Sequence, residues 1–210
     1  MAAAAELEEN QWCAKLRLGF RKSPGRTQLT ERARQGPLAV QKALYPEGGL
    51  CHIYLLHPPG GVAGGDHLDI RASVARDASA LVTTPGATKF YRSADPWAYQ
   101  HHALEVTDGS LEWLPQENII FPGAKVALST AIDLSANAIF IGWEIHCLGR
   151  PAVAECFDRG EAIFSFRLRR NGQPLLYERL RISNEKALHS AAGLRGNPVI
   201  GTLCATLEDS

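Results

Sequence analysis

The glycine-rich segment at residues 57–67, HPPGGVAGGDH, is the part of the chain best suited to chemistry. Its four glycines let the backbone adopt conformations closed to other residues and approach another group closely. One interpretation is a loop that places Asp66 and free backbone amides at a polar passage or a ligand. The other is an elaborate connection between strands, in which Asp66 caps its own turn. A dinucleotide-binding loop is excluded, because the pattern that follows is typical of a strand and not of a helix.

Hydroxyl and cationic side chains cluster in a second segment, residues 83–93, which reads TTPGATKFYRS. It loosely resembles a phosphate-binding loop because glycine, lysine and threonine are close together. The order is not Gly-Lys-Ser/Thr, however, and no helix pattern follows that would bring its N-terminus to a phosphate. We therefore expect no nucleotide binding by this chain. The cluster of Thr83, Thr84, Thr88 and Lys89 is either a solvated loop or the lining of a polar passage.

Seven histidines suggest a metal site, since imidazole and carboxylate groups bind transition ions such as zinc and nickel. Adjacent His101 and His102 point to opposite faces of a strand, so they cannot hold one ion together. No pair among the five cysteines has the spacing of a zinc site. The sequence therefore predicts no tight structural metal site, while a weak and transient one is compatible with it.

Two further functions are compatible with these residues. A metal-dependent hydrolase would use His57, Asp66 and His67 to hold an ion and activate water. A β-type module that binds carbohydrate or protein would present Trp97 or Trp113 as an exposed stacking platform. The sequence contains neither a Gly-x-Ser-x-Gly nor a His-Glu-x-x-His motif, which disfavours the common hydrolase mechanisms.

Strands must position these segments, because apolar residues recur with a period of two at 12–20, 68–74 and 126–134. The dipeptides Asp108-Gly109 and Asn171-Gly172 are typical of tight hairpins, and therefore of antiparallel pairing. Glycines and prolines punctuate the remaining chain. The expected fold is all-β, with layered antiparallel sheets of many short strands.

Helix signals are few, and we expect one or two short helices. The best candidate is residues 184–192, where Asn184 would cap the helix and Gly193 would close it. The chain shows no linker and no internal repeat. Residues 1–210 are therefore predicted to form a single domain.

Charge and cysteine content indicate the compartment and the partners. Twenty-two Lys and Arg balance 22 Asp and Glu, so no global field attracts nucleic acid or an anionic membrane. Two stretches, 15–34 and 167–181, are locally basic, and together they could meet an acidic partner. Five cysteines without a disulfide pattern and the absence of a signal-peptide pattern predict a cytoplasmic location. The longest apolar run, 136–148, is too short for a membrane span, so a soluble protein is expected.

Taken together, the motifs resemble the urease accessory protein D family (UreD, also called UreH). The motifs that carry the resemblance occur in family order over nearly the whole chain. The most specific are the segments that contain Asp66 and Thr83 to Lys89. The others are Trp12-x3-Leu16, Gly25-Arg26-Thr27, Gly36-Pro37-Leu38, residues 111–121, Gly149-Arg150, residues 175–181 and Gly196-Asn197-Pro198.

This resemblance implies an all-β fold of stacked strand layers and a role without catalysis. Family members form an activation complex with a helical accessory protein (UreF) and a GTPase (UreG). The complex docks on the urease apoprotein while nickel is delivered to its active site. The GTP chemistry would belong to the partner, in keeping with the missing phosphate loop.

The resemblance also implies site residues. Asp66, Thr83, Thr84 and Glu178 are the first candidates for the lining of a polar passage, with Thr88 and Lys89 beside them. Asp66 and Glu178 would bind nickel transiently, and no tightly bound cofactor is expected. Family members usually continue beyond the Gly-Asn-Pro segment, so the chain is expected to be short at its C-terminus relative to the family.

Overall fold

The computed structural model describes residues 12–183 and 185–206, which form two β-sheets packed face to face. Along most strands, buried and exposed residues alternate, as the period of two predicts. The core lies between the sheets and is filled by large apolar side chains such as Phe20, Phe90, Phe140 and Phe157. The all-β prediction is confirmed.

The first sheet, sheet I, has the strand order β15-β14-β11-β8-β5-β1-β2. Its strands are β1 (Cys13–Ser23), β2 (Arg26–Gln35), β5 (His67–Val74), β8 (Ala98–Val106), β11 (Lys125–Leu134), β14 (Glu161–Arg170) and β15 (Gln173–Ile182).

The second sheet, sheet II, has the order β3-β4-β6-β9-β12-β10-β7, and β13 and β16 also pair with β12. Strands β9 and β10 both pair with the long strand β12, β9 with its first part and β10 with a later part. The members of sheet II are β3 (Ala39–Val40), β4 (Cys51–Leu56), β6 (Ser79–Thr83), β7 (Thr88–Phe90), β9 (Ser110–Leu114), β10 (Asn118–Ile120), β12 (Ile139–Arg150), β13 (Glu155–Cys156) and β16 (Val199–Ala205).

The central part of the chain winds as a parallel coil that alternates between the sheets. It passes from β4 in sheet II to β5 in sheet I, back to β6 and β7, and then through β8, β9 and β10, β11, β12 and β14. Each coil stacks on the preceding one, so β5, β8, β11 and β14 are parallel neighbours. The layered arrangement was predicted correctly, but the antiparallel pairing was wrong for these central strands.

The two turn dipeptides explain this difference. Asn171-Gly172 forms the predicted hairpin, with positive φ at both residues and antiparallel pairing of β14 with β15. Asp108-Gly109 instead carries the chain from β8 in sheet I to β9 in sheet II. A Cβ atom at Gly109 would lie 2.5 Å from the carbonyl oxygen of Ala75. Glycine is therefore required here for the close stacking of one corner on the next, and not for a hairpin.

A 3-10 turn at Pro151–Val153 and one short helix, α1 (Glu185–His189), complete the described part of the chain. The helix lies within the predicted range of 184–192 but ends earlier. Asn184 lies outside the described residues, so its role as a cap stays a prediction. No helix in residues 12–183 and 185–206 is long and apolar enough to cross a membrane.

Candidate functional site

A cavity of about 200 Å³, the main cavity, lies between the two sheets. Polar side chains from both sheets line it, although the surrounding core is apolar. Five of them are at most 9% exposed, which requires hydrogen-bond partners inside the protein. The polar lining of the inner strands consists of Gln100, His102 and Thr130 from sheet I and Asn118, Glu144 and His146 from sheet II.

The parallel register brings these polar side chains together. Strand alternation turns Gln100 and His102 of β8 inward, and His102 lies beside Thr130 of the neighbouring strand β11. The His102 Nδ1 atom is 3.3 Å from the Thr130 hydroxyl oxygen. In sheet II the register similarly places Asn118 of β10 beside His146 of β12. Stacked coils therefore set polar groups opposite polar groups.

His146 links this cluster to a carboxylate. The amide nitrogen of Asn118 donates to His146 Nδ1 at 3.3 Å, so the other ring nitrogen, Nε2, donates to Glu144 Oε1 at 3.2 Å. The imidazole also stacks on the ring of Phe164, with 4.0 Å between ring centroids. Only 5% of the His146 side chain and 13% of the Glu144 side chain are exposed. Glu144 and His146 are thus held by packing and hydrogen bonds on all sides.

A second cavity of about 30 Å³, the side cavity, lies behind this pair. Glu144 and His146 line both cavities, so they form a partition between them. Glu178 lines the side cavity from β15, where its carboxylate accepts a hydrogen bond of 3.1 Å from the Thr202 hydroxyl. Burial raises the pKa of the Cys204 thiol, and the negative charges of Glu178 and Glu144 raise it further.

Burial lowers the pKa of His102 to about 4, although the charge of Glu144 opposes this shift. The neighbouring imidazoles of His101 and His146 lower it further, and Asp69 opposes them. His102 also meets the ring of Trp113 edge-on. Its imidazole is therefore neutral at pH 7.

This shift predicts that the protein loses stability in acid. An unfolded chain protonates this histidine near pH 6.5, whereas the folded chain protonates it only near pH 4. Stability is thus fully present above pH 6.5 and falls as the pH drops toward 4. For His102 alone we expect a loss of about 2 kcal/mol between pH 6.5 and pH 5.

Urea unfolding of the wild type and of His102→Gln at these two pH values measures this loss. His57, whose pKa burial also lowers, contributes in the same direction and remains in the variant. The variant should therefore show a smaller, but not abolished, dependence on pH. Equal losses in the two proteins would contradict the assignment to His102.

Several predicted lining residues lie at the mouth of the main cavity. Thr84 and Thr88 line it, and the Thr84 hydroxyl accepts a hydrogen bond from the Gln116 backbone at 2.9 Å. Thr83 donates to the carbonyl oxygen of Leu114 at 2.6 Å and therefore joins β6 to β9. Lys89 is exposed and lies outside the cavity.

Asp66 does not line either cavity. Its carboxylate accepts a 2.8 Å hydrogen bond from the backbone of Ala63, as expected for a residue that caps its own turn. It is nevertheless close enough to His57 to raise the pKa of that imidazole against the larger effect of burial. Since His57 lines the main cavity, Asp66 can act on the cavity through its charge, although it does not line it.

The structure does not support the two alternative functions, the metal-dependent hydrolase and the binding module with Trp113 as a stacking platform. His67 stacks on Tyr99 of the outer face of sheet I, whereas His57 faces the main cavity, so His57, Asp66 and His67 do not converge. No group of three or more His, Cys, Asp or Glu in the described part of the chain could hold a metal ion. Trp113 is 2% exposed, so the prediction that it could be a surface stacking platform is wrong.

Sequence reasoning missed most of the polar lining. The signal was present in the alternation itself, because Glu144 and His146 interrupt the apolar run 136–148 at inward positions of β12. Gln100 likewise stands between the buried Ala98 and His102. Alternation does not show which neighbouring coil supplies the hydrogen-bond partners of these side chains.

Comparisons with known proteins agree with the fold and the motifs. The family model described as UreD urease accessory protein matches residues 13–210. Proteins named urease accessory protein UreD are 51% identical over 182 residues in Alcanivorax borkumensis and 48% identical over 209 residues in Nitrosococcus oceani. These matches cover 86% and 98% of this chain, but 62% and 71% of the relatives. This chain therefore belongs to the UreD urease accessory protein family.

Proposed function

We propose that this chain acts in urease maturation as a non-catalytic accessory protein that passes nickel through its interior. It would work in a complex with a UreF-like helical protein, a UreG-like GTPase and the urease apoprotein, and GTP hydrolysis would belong to the GTPase. Family membership and the name urease accessory protein of its relatives support the maturation role. The interior of the fold supports the handling of an ion.

The observation that carries the proposal is the partition formed by Glu144 and His146. These two side chains line both cavities, together with the buried polar residues Gln100, His102, Asn118 and Thr130 at the main cavity. Burying a carboxylate and an imidazole is unfavourable unless they are paired. A polar pair at the meeting point of two cavities therefore fits a passage better than it fits a purely structural core.

The chemistry of the lining suits a nickel ion in transit. Imidazole and carboxylate groups bind this ion, and the amide oxygens of Gln100 and Asn118 can add weak ligands. A carrier that must release its ion cannot surround it with a closed set of four strong ligands. Polar groups spaced along the two cavities allow the ion to exchange one partner at a time.

The two ends of the proposed passage differ. At the main cavity, His57, Thr84 and Thr88 would form the mouth, and the charge of Asp66 acts on His57. At the side cavity, Glu178 and Thr202 lie where β15 and β16 approach each other. In this proposal Glu178 would bind nickel at the side-cavity end, while Asp66 would influence the other end through His57.

Coexpression tests the proposal as a whole. The tagged chain, the helical partner and the GTPase should elute together from a size-exclusion column and bind urease apoprotein. Urease from cells that lack the chain should contain less nickel per active site than urease from cells that have it. A chain that ignores both partners, or urease nickel that does not depend on the chain, would overturn the proposal.

A further inference from the structure

The net charge of the chain is zero, but its charged residues are distributed unevenly. The hairpin of β1 and β2 contains seven of the chain's 22 Lys and Arg but only one of its 22 Asp and Glu, so it carries a net charge of +6 and the rest of the chain −6. The second basic stretch lies on β14 and β15, at the opposite edge of sheet I. The two basic stretches therefore do not form one surface, and the hairpin is a separate basic region.

The hairpin ends in a free strand edge. Strand β2 is the outermost strand of sheet I, and its residues Thr30 to Gln35 are all exposed. Within the described residues, this part of β2 pairs only with β1. Backbone groups on its outer side are therefore available to a further strand.

A groove of about 420 Å³ runs beside this edge, on the outer face of sheet I. Its charged lining consists of Lys15, Arg17, Arg34, Asp69 and Arg71. Within residues 12–183 and 185–206, the only acid that lines the groove is Asp69, and Arg71 already donates hydrogen bonds of 3.1 and 3.2 Å to it.

The remaining cations of the groove are poorly compensated. Arg17 stands directly beside Arg71 in the parallel register and reaches Glu31 only at 3.8 Å. Neither Lys15 nor Arg34 forms an ion pair with any residue that the structure describes. The groove therefore holds an excess of positive charge that nothing in the described fold neutralises.

We propose that the edge of β2 and this groove, together called the β2 edge site, bind an extended acidic segment of a partner protein. The segment would add as a strand to β2, and its alternate side chains would place carboxylates on the face that carries Lys15 and Arg17, whereas Arg34, opposite the buried Leu16, lies on the other face. Strand addition supplies affinity through backbone hydrogen bonds, and the charges supply specificity and a faster association.

A protein segment suits the β2 edge site better than nucleic acid or a membrane surface. Nucleic acid and lipid head groups can satisfy the cations, but they cannot continue the backbone ladder of a β-sheet. The net charge of −6 on the rest of the chain also repels a long polyanion or an anionic membrane. This inference goes beyond the proposed function and does not depend on nickel.

Fluorescence anisotropy with the purified chain tests the proposal. The probe is a labelled decapeptide of alternating Glu and Thr, and the reference is the same peptide with Lys in place of Glu. We expect binding of the acidic peptide only, weakening as salt is raised. Methylation of alternate backbone amides of the peptide should abolish binding, because it removes the hydrogen bonds of the ladder.

Matched variants locate the binding surface. Lys15→Glu with Arg17→Glu should weaken peptide binding about tenfold or more, since two attractive contacts become repulsive. Lys42→Glu with Lys186→Glu changes the net charge equally at exposed positions outside the groove and should change binding less than about twofold. All four positions are exposed, so both double variants should fold.

Three outcomes would overturn the proposal. The first is an equal loss of affinity in the two double variants, which would indicate a nonspecific effect of net charge. The second is full binding of the methylated peptide, which would exclude strand addition. The third is tighter binding of a short oligothymidine or of phosphatidylserine vesicles, lost in the groove variant, which would assign the site to nucleic acid or membrane. Each assay omits urease, so its result is independent of the proposed function.

Discussion

Glu144→Leu is expected to lower nickel-dependent urease activation about tenfold or more, which is the usual cost of losing a group that binds or orients a metal ligand. Among the residues that the structure describes, the change removes the only carboxylate that lines both cavities, and it leaves the Nε2–H group of His146 without its acceptor. Glu144→Gln keeps an acceptor oxygen and removes the charge, so it should give an intermediate loss. Urease specific activity and nickel per active site, measured after coexpression, report the effect.

The control for this prediction is Glu112→Leu, the same replacement on β9 at a position that lines neither cavity. It should leave activation unchanged. Glu144→Leu removes one partner of a buried pair and should lower stability, whereas Glu144→Gln keeps the acceptor for His146 and should fold and bind the partners like the wild type. If both Glu144 variants activate urease like the wild type, in complexes that assemble normally, nickel does not pass the partition formed by Glu144 and His146.

Ala87→Trp is expected to slow urease activation about tenfold by obstructing the mouth of the main cavity. Ala87 lies in the loop between β6 and β7 and lines this cavity beside Thr84 and Thr88. It is half-buried, so a large ring can occupy the opening without entering the packed core. The rate of activation at limiting nickel is the measurement, because a narrowed entry affects the rate more than the final extent.

Ala136→Trp serves as the matched control, since it adds the same ring at an exposed position outside both cavities. Its activation rate should equal that of the wild type. A normal rate in Ala87→Trp, with a melting temperature and partner binding like those of the wild type, would show that nickel does not enter through this mouth.

Much of the local structure could be predicted from alternation alone. The alternating segments 12–20, 68–74 and 126–134 coincide with β1, β5 and β11 to within three residues at each end. The direction of the central strands could not be predicted in this way. Parallel sheets usually have both faces covered and contain continuous apolar runs. Here each sheet has an outer face open to solvent, so parallel strands carry the alternation that usually accompanies antiparallel ones.

The candidate site was less predictable than the fold, because it depends on register between coils. His102 and Thr130 are 28 residues apart in sequence, and so are Asn118 and His146. Local patterns contain no information about partners at that separation. The family resemblance pointed to Thr84, Thr88 and Glu178, and these residues do line the cavities. It did not point to Glu144 or His146.

The strand order of sheet I has a consequence for how the protein forms during synthesis. Strands β1, β5, β8, β11, β14 and β15 lie side by side in the order in which the ribosome makes them. Each new strand can therefore join an edge that already exists, as repeats do when they add to a growing solenoid. The polar lining would be completed only when β12 arrives with Glu144 and His146, after β8 and β11 are in place. A nascent chain would thus acquire the last buried polar groups of the main cavity late, on an already ordered scaffold.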